Sequence, residues 1–430
     1  MFNSQILQLY TYPIKSMRGV PLAFTELTSH GFPYDRRFMI RKILSKEDSS
    51  STPGTPGFRN MTITFFPGMA LFTQELVPSP ADAESVKVTY MPPASKSAGN
   101  KIVDGEGARS SEKRSIEIPL QPDVLKLDKI DAILHSSPTT AYAMPAEINA
   151  WFSSCLGYEV QLLYLGPHYR SVLGNLAPSA ANSQSRPQPK HSASQSPSWL
   201  SSMSDYLPVS LTSIISSTAN DENANAMNGQ EVEKPELTFA DVAPYLVVTE
   251  ESLASVSDRL PPGEIMDITK FRPNIVVAGA EGAWDEDFWG EVKIKLTEGR
   301  ASKDETEAER GGRGEGDRET VKMILTANCA RCMSLNIDYS TGDYGEGESG
   351  KVLKKLMADR RVDPGSKWSP IFGRYGFLEG DGTVGKVGGS NTRSEKDGNV
   401  SVRVGDEVVV GKRNSERTVF VWPGLGTVVG

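Results

Sequence analysis

From Pro167 to Glu236 the chain is built largely of Ser, Asn, Gln and Pro, in runs such as SAANSQSRPQPKHSASQSPSW and STANDENANAMNGQEVEKPE. Such a composition buries too little apolar surface to offset the entropy of ordering it, so this stretch reads as a mostly disordered insertion. It divides the remaining sequence into two candidate domains, 1–166 and 237–430. Shorter segments of the same kind lie at 46–56, 94–114, 298–318 and 388–399. The hydrophobic share of 38% over 430 residues is low, and these segments hold most of the deficit. The Glu/Arg/Gly run around Arg310 alternates both charge signs and reads as a solvated loop.

What remains is strand-rich. SQILQLYTYPIKS, VPLAFTELTSHG and RRFMIRK are short, β-branched or aromatic runs broken by Gly or Pro, and further strands are expected at Met61–Phe66, Met69–Phe72, Ser85–Tyr90 and Ser115–Pro119. Together they predict a small β-barrel or sandwich. A helix is expected at Pro145–Leu156, stopped by Gly157, and a strand at Glu159–Leu165. Beyond the insertion, Tyr245–Val248 reads as a buried strand feeding a helix capped by Thr249. FRPNIVVAG, WGEVKIKL, KMILTANCARCMSLNID, DEVVVGKR and RTVFVWPG follow as strands, with VLKKLMADRR as a short helix. No regular βαβ spacing appears, so the fold class is α+β rather than a doubly wound sheet.

Lys and Arg number 46 against 54 Asp and Glu, a net charge of −8, which gives no basic footprint for a nucleic-acid backbone. The start MFNSQILQLYTYPIKS has no basic region followed by a long apolar one, and no stretch approaches the roughly 18 apolar residues of a spanning helix. A cytoplasmic protein without a transmembrane segment is expected, with peripheral attachment to a membrane left open. The three cysteines, Cys155, Cys329 and Cys332, are too few for a disulfide scaffold and fit a reducing compartment.

Cys329 and Cys332 form C-A-R-C between a strand and a turn. A zinc ribbon needs a second such pair, and the four histidines are scattered singly. A thioredoxin-like pair needs a helix opening at the motif, whereas SLNID continues extended. Two readings stay open: small buried hydrophobes in a turn, or a thiolate in an electropositive pocket, since Arg331 lies between the thiols and Lys15, Arg272 and Arg374 sit at other non-helical junctions.

The blocks Tyr12-Pro13-Ile14-Lys15-Ser16-Met17-Arg18-Gly19 and Tyr34-Asp35-Arg36-Arg37-Phe38 resemble the N-terminal β-barrel domain of MOSC proteins. Phe271-Arg272-Pro273-Asn274-Ile275, then Arg331-Cys332 with Asp338-x-x-Thr341-Gly342, then Pro370-Ile371-Phe372-Gly373-Arg374-Tyr375 resemble successive parts of the MOSC domain itself. By pattern the chain is similar to the mitochondrial amidoxime-reducing component family, with the carboxyl-terminal domain of molybdenum cofactor sulfurase a more distant cousin. The resemblance implies two strand-rich, barrel-like domains sharing one cleft for a molybdenum–molybdopterin cofactor. Cys332 would be the metal ligand and catalytic thiolate, soft thiolate being the appropriate donor to such a metal. Lys15, Ser16, Arg36 and Arg272 match the family's phosphate- and pterin-contacting residues, Tyr375 another cofactor contact, and Arg331 flanks the thiolate. Arg37 is a substitute for Arg36, on the other face by alternation. Cys329, Asn274 and Asp338 take structural readings, and Pro244 and Tyr245 fall near a further family contact without a side chain being assigned.

The activity implied is reduction of N-hydroxylated substrates, with electrons from a b-type cytochrome and its flavin reductase, since no dinucleotide or flavin fingerprint is present. The alternative is a cofactor carrier or sulfur-transfer accessory using the same cysteine, and a third reading is a relative that has lost its cofactor. The wider family also carries an association with pyridoxal phosphate, for which this chain has no dedicated domain. Attachment to mitochondria is implied only as a peripheral possibility.

Overall fold

The structure, a computed structural model, describes residues 4–44, 57–93, 112–178, 235–297, 320–379 and 400–421. Seven of its strands close a barrel: β1 (Ser4–Thr11), β2 (Tyr245–Thr249), β3 (Ile275–Ala278), β4 (Trp289–Lys295), β5 (Thr320–Ala330), β6 (Ile371–Leu378) and β7 (Glu407–Arg413). Around the barrel the order is β3, β2, β6, β5, β4, β7, β1 and back to β3. β2 and β3 are parallel and the other neighbours antiparallel. A parallel pair needs a crossover, and the helix α2, assigned below, lies in the connection between them. β1 comes from the opposite end of the sequence to its neighbours: Leu9 pairs with Ile275 and Ser4 with Val408. The chain's early strand therefore completes the barrel of its second half.

The rest of the first half forms two smaller sheets. Five strands run Phe58–Asn60, Phe38–Ile43, Val160–Tyr164, Ser137–Ala143, Asp128–Leu134, and three run Phe72–Val77, Ser85–Tyr90, Arg114–Pro119. The Asn60 side chain donates to the Ile133 carbonyl at 2.7 Å, which draws the two edges of the five-stranded sheet together. α1 (Ala146–Leu156) buries Ile148, Phe152, Cys155 and Leu156, one face at helical spacing, and ends at Gly157 with a left-handed φ of 84°. Ile6 and Leu9 of β1, Phe38, Phe72 and Phe152 of the first half, and Trp289 and Met323 of the second belong to one continuous apolar core. No helix among the described residues is long and apolar enough to cross a membrane.

α2 (Glu250–Ser257) starts as expected: Thr249 Oγ1 accepts the Ser252 N–H at 3.3 Å. The helix in VLKKLMADRR is α3 (Val352–Met357). Five expectations are corrected, the first being that Met333–Asn336, expected to continue extended after Cys332, is a 3₁₀ helix. Residues 61–66 are not a strand but a turn, because the amides of Phe65 and Phe66 both donate to the Thr62 carbonyl, and Pro67 opens a 3₁₀ helix, Pro67–Leu71, where a strand at Met69–Phe72 was expected. RTVFVWPG makes no strand over its described residues 417–421, since the Phe420 amide donates to the Asp363 carboxylate instead. The ends of the 167–236 insertion are ordered: Arg170–Ser171 pairs with Glu236–Leu237. Arg170 there is 1% exposed and donates to the carbonyls of Leu134, Thr238 and Ala240. Residues 179–234, 298–318 and 388–399, together with 46–56 and 94–111, lie outside the described residues.

Behind the α2 cap, Glu286 is fully buried and its Oε2 accepts from Ser252 Oγ at 2.7 Å and Thr249 Oγ1 at 2.9 Å. Burial pushes its carboxyl from 4.5 up to about 7. An acid with a raised folded-state pKa stabilises the fold fully below the unfolded value and loses that contribution as pH rises through the folded one. Relative to Glu286→Gln, the wild type should lose about 3 kcal/mol between pH 4.5 and pH 7 and change little above that, as read from urea midpoints. A difference that stays constant across this window would show that Glu286 ionises normally.

Candidate functional site

β1 ends at Thr11, and the loop that follows carries Tyr12 to Gly19 past the ends of β2 and β3. Three residues gathered here, Ser16, Arg36 and Arg272, have left-handed backbones, with φ of 73°, 50° and 56°. For a residue with a side chain this costs on the order of 1–3 kcal/mol, and such strain concentrates at functional sites. Each is held from outside. The Arg36 amide donates to the Tyr12 carbonyl at 2.8 Å and its carbonyl accepts from Phe239 at 2.9 Å. The Arg272 amide donates to Thr269 at 3.0 Å, and Ser16 Oγ accepts the Ile63 amide at 3.2 Å.

Tyr12 is the centre of this arrangement. It is wholly buried, its hydroxyl donates to the Pro273 carbonyl at 3.1 Å, and the guanidinium carbons of Arg36 and Arg272 lie 4.6 and 4.5 Å from its ring centroid. Burial raises its phenol far above the ordinary value, so it stays neutral. Gly19 leaves room for the ring, since a Cβ there would stand 2.7 Å from Tyr12 Cε1. Asp35, buried, pairs with Arg36 and accepts the Tyr12 amide at 2.8 Å. Asn274 Oδ1 accepts from Arg36 Nη1 at 3.2 Å and from the Leu246 amide at 3.2 Å. Arg272 Nη1 donates to the Met17 carbonyl at 2.8 Å, whereas its Nη2, sealed from water, meets no hydrogen-bond acceptor among the described residues. Lys15 is buried too, its Nζ bonded to the Phe239 carbonyl at 3.0 Å and to the Asp241 carboxylate. Burial lowers the Lys15 pKa and Asp241 opposes that shift.

Cys332 follows the end of β5, with Arg331 turned inward beside it. The Arg331 guanidinium donates to the Phe372 carbonyl through Nε at 2.9 Å and Nη2 at 2.7 Å and to the Phe271 carbonyl at 2.7 Å, while its amide donates to Pro370 at 2.8 Å. Arg331 thus braces three strand ends, and those donors are engaged within the fold. The Cys332 thiol is exposed, with Thr64 Oγ1 and Ser334 Oγ each 3.3 Å from its sulfur. Thr64 adjoins Ile63, whose amide is held by Ser16, so one turn links the thiol to the cationic loop. Cys329 points into the core, where its thiol donates to the Tyr375 hydroxyl at 3.0 Å. Burial raises the pKa of both, and their contact raises that of Tyr375 further.

The structure therefore brings Arg36 and Arg272 together on Tyr12, sets Lys15 and Ser16 on the loop that follows it, and joins Cys332 to Ser16 through residues 63 and 64. Tyr375 reaches Cys329 rather than any cation. Arg37 departs in the other direction, donating to the Gly166 carbonyl and packing 5.2 Å over Tyr169. Arg374 is no part of an electropositive pocket: it is fully buried on β6, bonded to Asn328, Thr418, and the Leu325 and Asp287 carbonyls. Asp338 turns back to cap Ser340 at 2.8 Å, and Tyr245 exchanges hydrogen bonds with Thr28. Asp241 and His135, with Thr64, were not found from sequence. His135 Nε2 lies 3.0 Å from Asp241 Oδ1, but neither stands near its partner in the chain.

Residues 3–159 match the MOSC N-terminal beta barrel domain and residues 234–409 the MOSC domain. The chain is similar to mitochondrial amidoxime-reducing component 1 of Homo sapiens, 31% identical over 159 residues, which cover 36% of this chain and 38% of that protein. Against the mouse protein of the same name it is 32% identical over 155 residues, covering 35% and 37%. Against mitochondrial amidoxime reducing component 2 of Bos taurus it is 31% identical over 157 residues, covering 36% and 38%. The matched stretch thus spans less than two fifths of each of these relatives.

The stack on Tyr12 separates two contributions that mutation can resolve. Tyr12→Phe keeps the ring beneath both guanidiniums and loses one hydrogen bond, an expected cost of about 1 kcal/mol. Tyr12→Leu removes both cation–π contacts and ring volume, an expected cost of about 4 kcal/mol. Chemical denaturation measures both, and equal costs would show that the hydroxyl, not the ring, holds the loop.

Proposed function

The chain is a MOSC domain protein, carrying the MOSC N-terminal β-barrel domain and the MOSC domain in tandem, and from this we propose that it is a molybdenum cofactor-binding oxidoreductase that reduces N-hydroxylated substrates. The observation that carries the reading is the exposed Cys332 thiol linked by a single turn to a cradle in which Arg272 Nη2 is buried without an acceptor. The donor set, one soft sulfur beside ammonium, guanidinium and hydroxyl groups on fixed backbone, suits a ligand with a soft-accepting metal and an anionic phosphate. Among the described residues no three His, Cys, Asp or Glu side chains converge on a metal position. The protein would accordingly supply a single thiolate, with the pterin supplying the rest.

In this reading Lys15, Ser16, Arg36 and Arg272 hold the phosphate and pterin, Cys332 binds the metal, and Tyr375 with Arg331 shapes the wall behind it. When bound, the cofactor supplies the two-electron chemistry. Overall, the N–O bond of the substrate is broken, two electrons and two protons are consumed and the oxygen leaves as water. The exposed position of Cys332 admits a small substrate from solvent. A b-type cytochrome and its flavin reductase would supply the electrons, and a peripheral mitochondrial location, in keeping with the mitochondrial relatives, is part of the same proposal.

The test is purification from a host that makes the cofactor, with molybdenum counted per chain and benzamidoxime reduction assayed with a cytochrome donor. Near-stoichiometric metal and turnover are expected. Cys332→Ala should lose both by more than a hundredfold, while Cys329→Ala, which trims one small core side chain, keeps at least half. Equal losses would mean the ligand is misassigned. Metal without turnover would favour a cofactor carrier or sulfur-transfer accessory, and a metal-free wild type would overturn both readings.

A further inference from the structure

The side chain of Lys15 is only 5% exposed, and an ammonium so far from water needs a counter-charge close by. Asp241 provides it, and Asp241 is itself 60% exposed, so water is at hand to solvate its carboxylate when it lets go. The same oxygen, Oδ1, also meets His135 Nε2 at 3.0 Å. His135 and Ser136 form the two-residue turn between strands Asp128–Leu134 and Ser137–Ala143, with φ of 51° and 63°. Such a turn favours Asn-Gly. A histidine is held there in a strained backbone, and its ring reaches Asp241.

We propose that Asp241 is a placeholder anion. It neutralises Lys15 while the cradle holds no ligand, gives up Lys15 to an incoming phosphate monoester, and remains tethered through His135. The proposal rests on reading Lys15 as a phosphate contact. Its logic is charge balance: Lys15 with Asp241 and Arg36 with Asp35 cancel in pairs, while Arg272 makes no ion pair among the described residues. A phosphate that met Asp241 still seated on Lys15 would face a like charge on the same ammonium. Moving Asp241 aside frees Lys15 to add its charge to that of Arg272, while the Phe239 carbonyl keeps the ammonium in place. Asp241 and His135 are thus positioning residues, acting on the ligand through Lys15.

The experiment needs no molybdenum. Apoprotein from a host lacking the pterin pathway is titrated with inorganic phosphate by calorimetry, with thermal unfolding followed in parallel. Asp241→Asn should tighten phosphate binding at least fivefold and lower the phosphate-free unfolding temperature, a deficit that phosphate restores. Adding Lys15→Gln should cancel the gain. His135→Gln, which leaves Asp241 on Lys15 but weakens its alternative partner, should loosen phosphate binding two- to threefold. If Asp241→Asn does not fold, Asp241→Ser should show the same gain. Unchanged or weaker binding in the Asp241 variants, or a gain that survives Lys15→Gln, would overturn the placeholder. Absence of phosphate binding in every variant and in the wild type would instead overturn the phosphate cradle on which it rests.

Discussion

Two guanidiniums packed on one buried phenol ring hold this structure's functional end together. Arg36 belongs to the loop before strand Phe38–Ile43, Arg272 to the approach to β3, and Tyr12 to the exit of β1, so the stack joins three parts of the chain just beyond the β1–β3 ladder. Two cations this close repel, and the ring's negative face with the Asp35 carboxylate offsets the repulsion. Ser16, Arg36 and Arg272 can keep their strained backbones because the stack and the surrounding amide bonds over-determine them.

The same interaction gathers cationic groups at one end of a chain whose net charge is −8. Global charge is a property of the surface, whereas the cradle draws its field from groups that are buried and individually matched, except for one nitrogen of Arg272. Arg331 and Arg374 show the opposite use of the residue type: their donors go to strand carbonyls and to Asn328, and each serves as an internal brace.

Much of the fold could be read from pattern. The Thr249 cap, the Gly157 stop and the strand residues of β2 follow from rules that act over a few residues, and local physics suffices to find them. Residues 61–71 defeated the same approach because their aromatic, strand-like composition was overruled by the Thr62 carbonyl and by Pro67. In the site, Lys15, Ser16, Arg36, Arg272 and Cys332 were legible through their resemblance to a family, since each lies in a contiguous block of residues. Asp241 and His135 were not, because Asp241 meets Lys15 across 226 positions and His135 across 106, and neither pairing leaves a local trace. Arg331 was placed correctly beside Cys332 in sequence, but whether a guanidinium faces a cleft or a carbonyl depends on strand geometry that composition does not encode.

The barrel's seam has a consequence for biogenesis. β1 leaves the ribosome before its barrel partners β3 and β7, and Ser4 waits for Val408. Until the second half has been translated, β1 has only its hairpin partner Val20–Leu22, and the loop carrying Tyr12 and Lys15 lacks Arg272 and Asp241, a long-range closure that slows folding. A nascent or truncated chain therefore has no cradle at all. The arrangement of Tyr12, Arg36 and Arg272 is thus a late event, complete only once the second half has been made, and it doubles as a record that the barrel has closed.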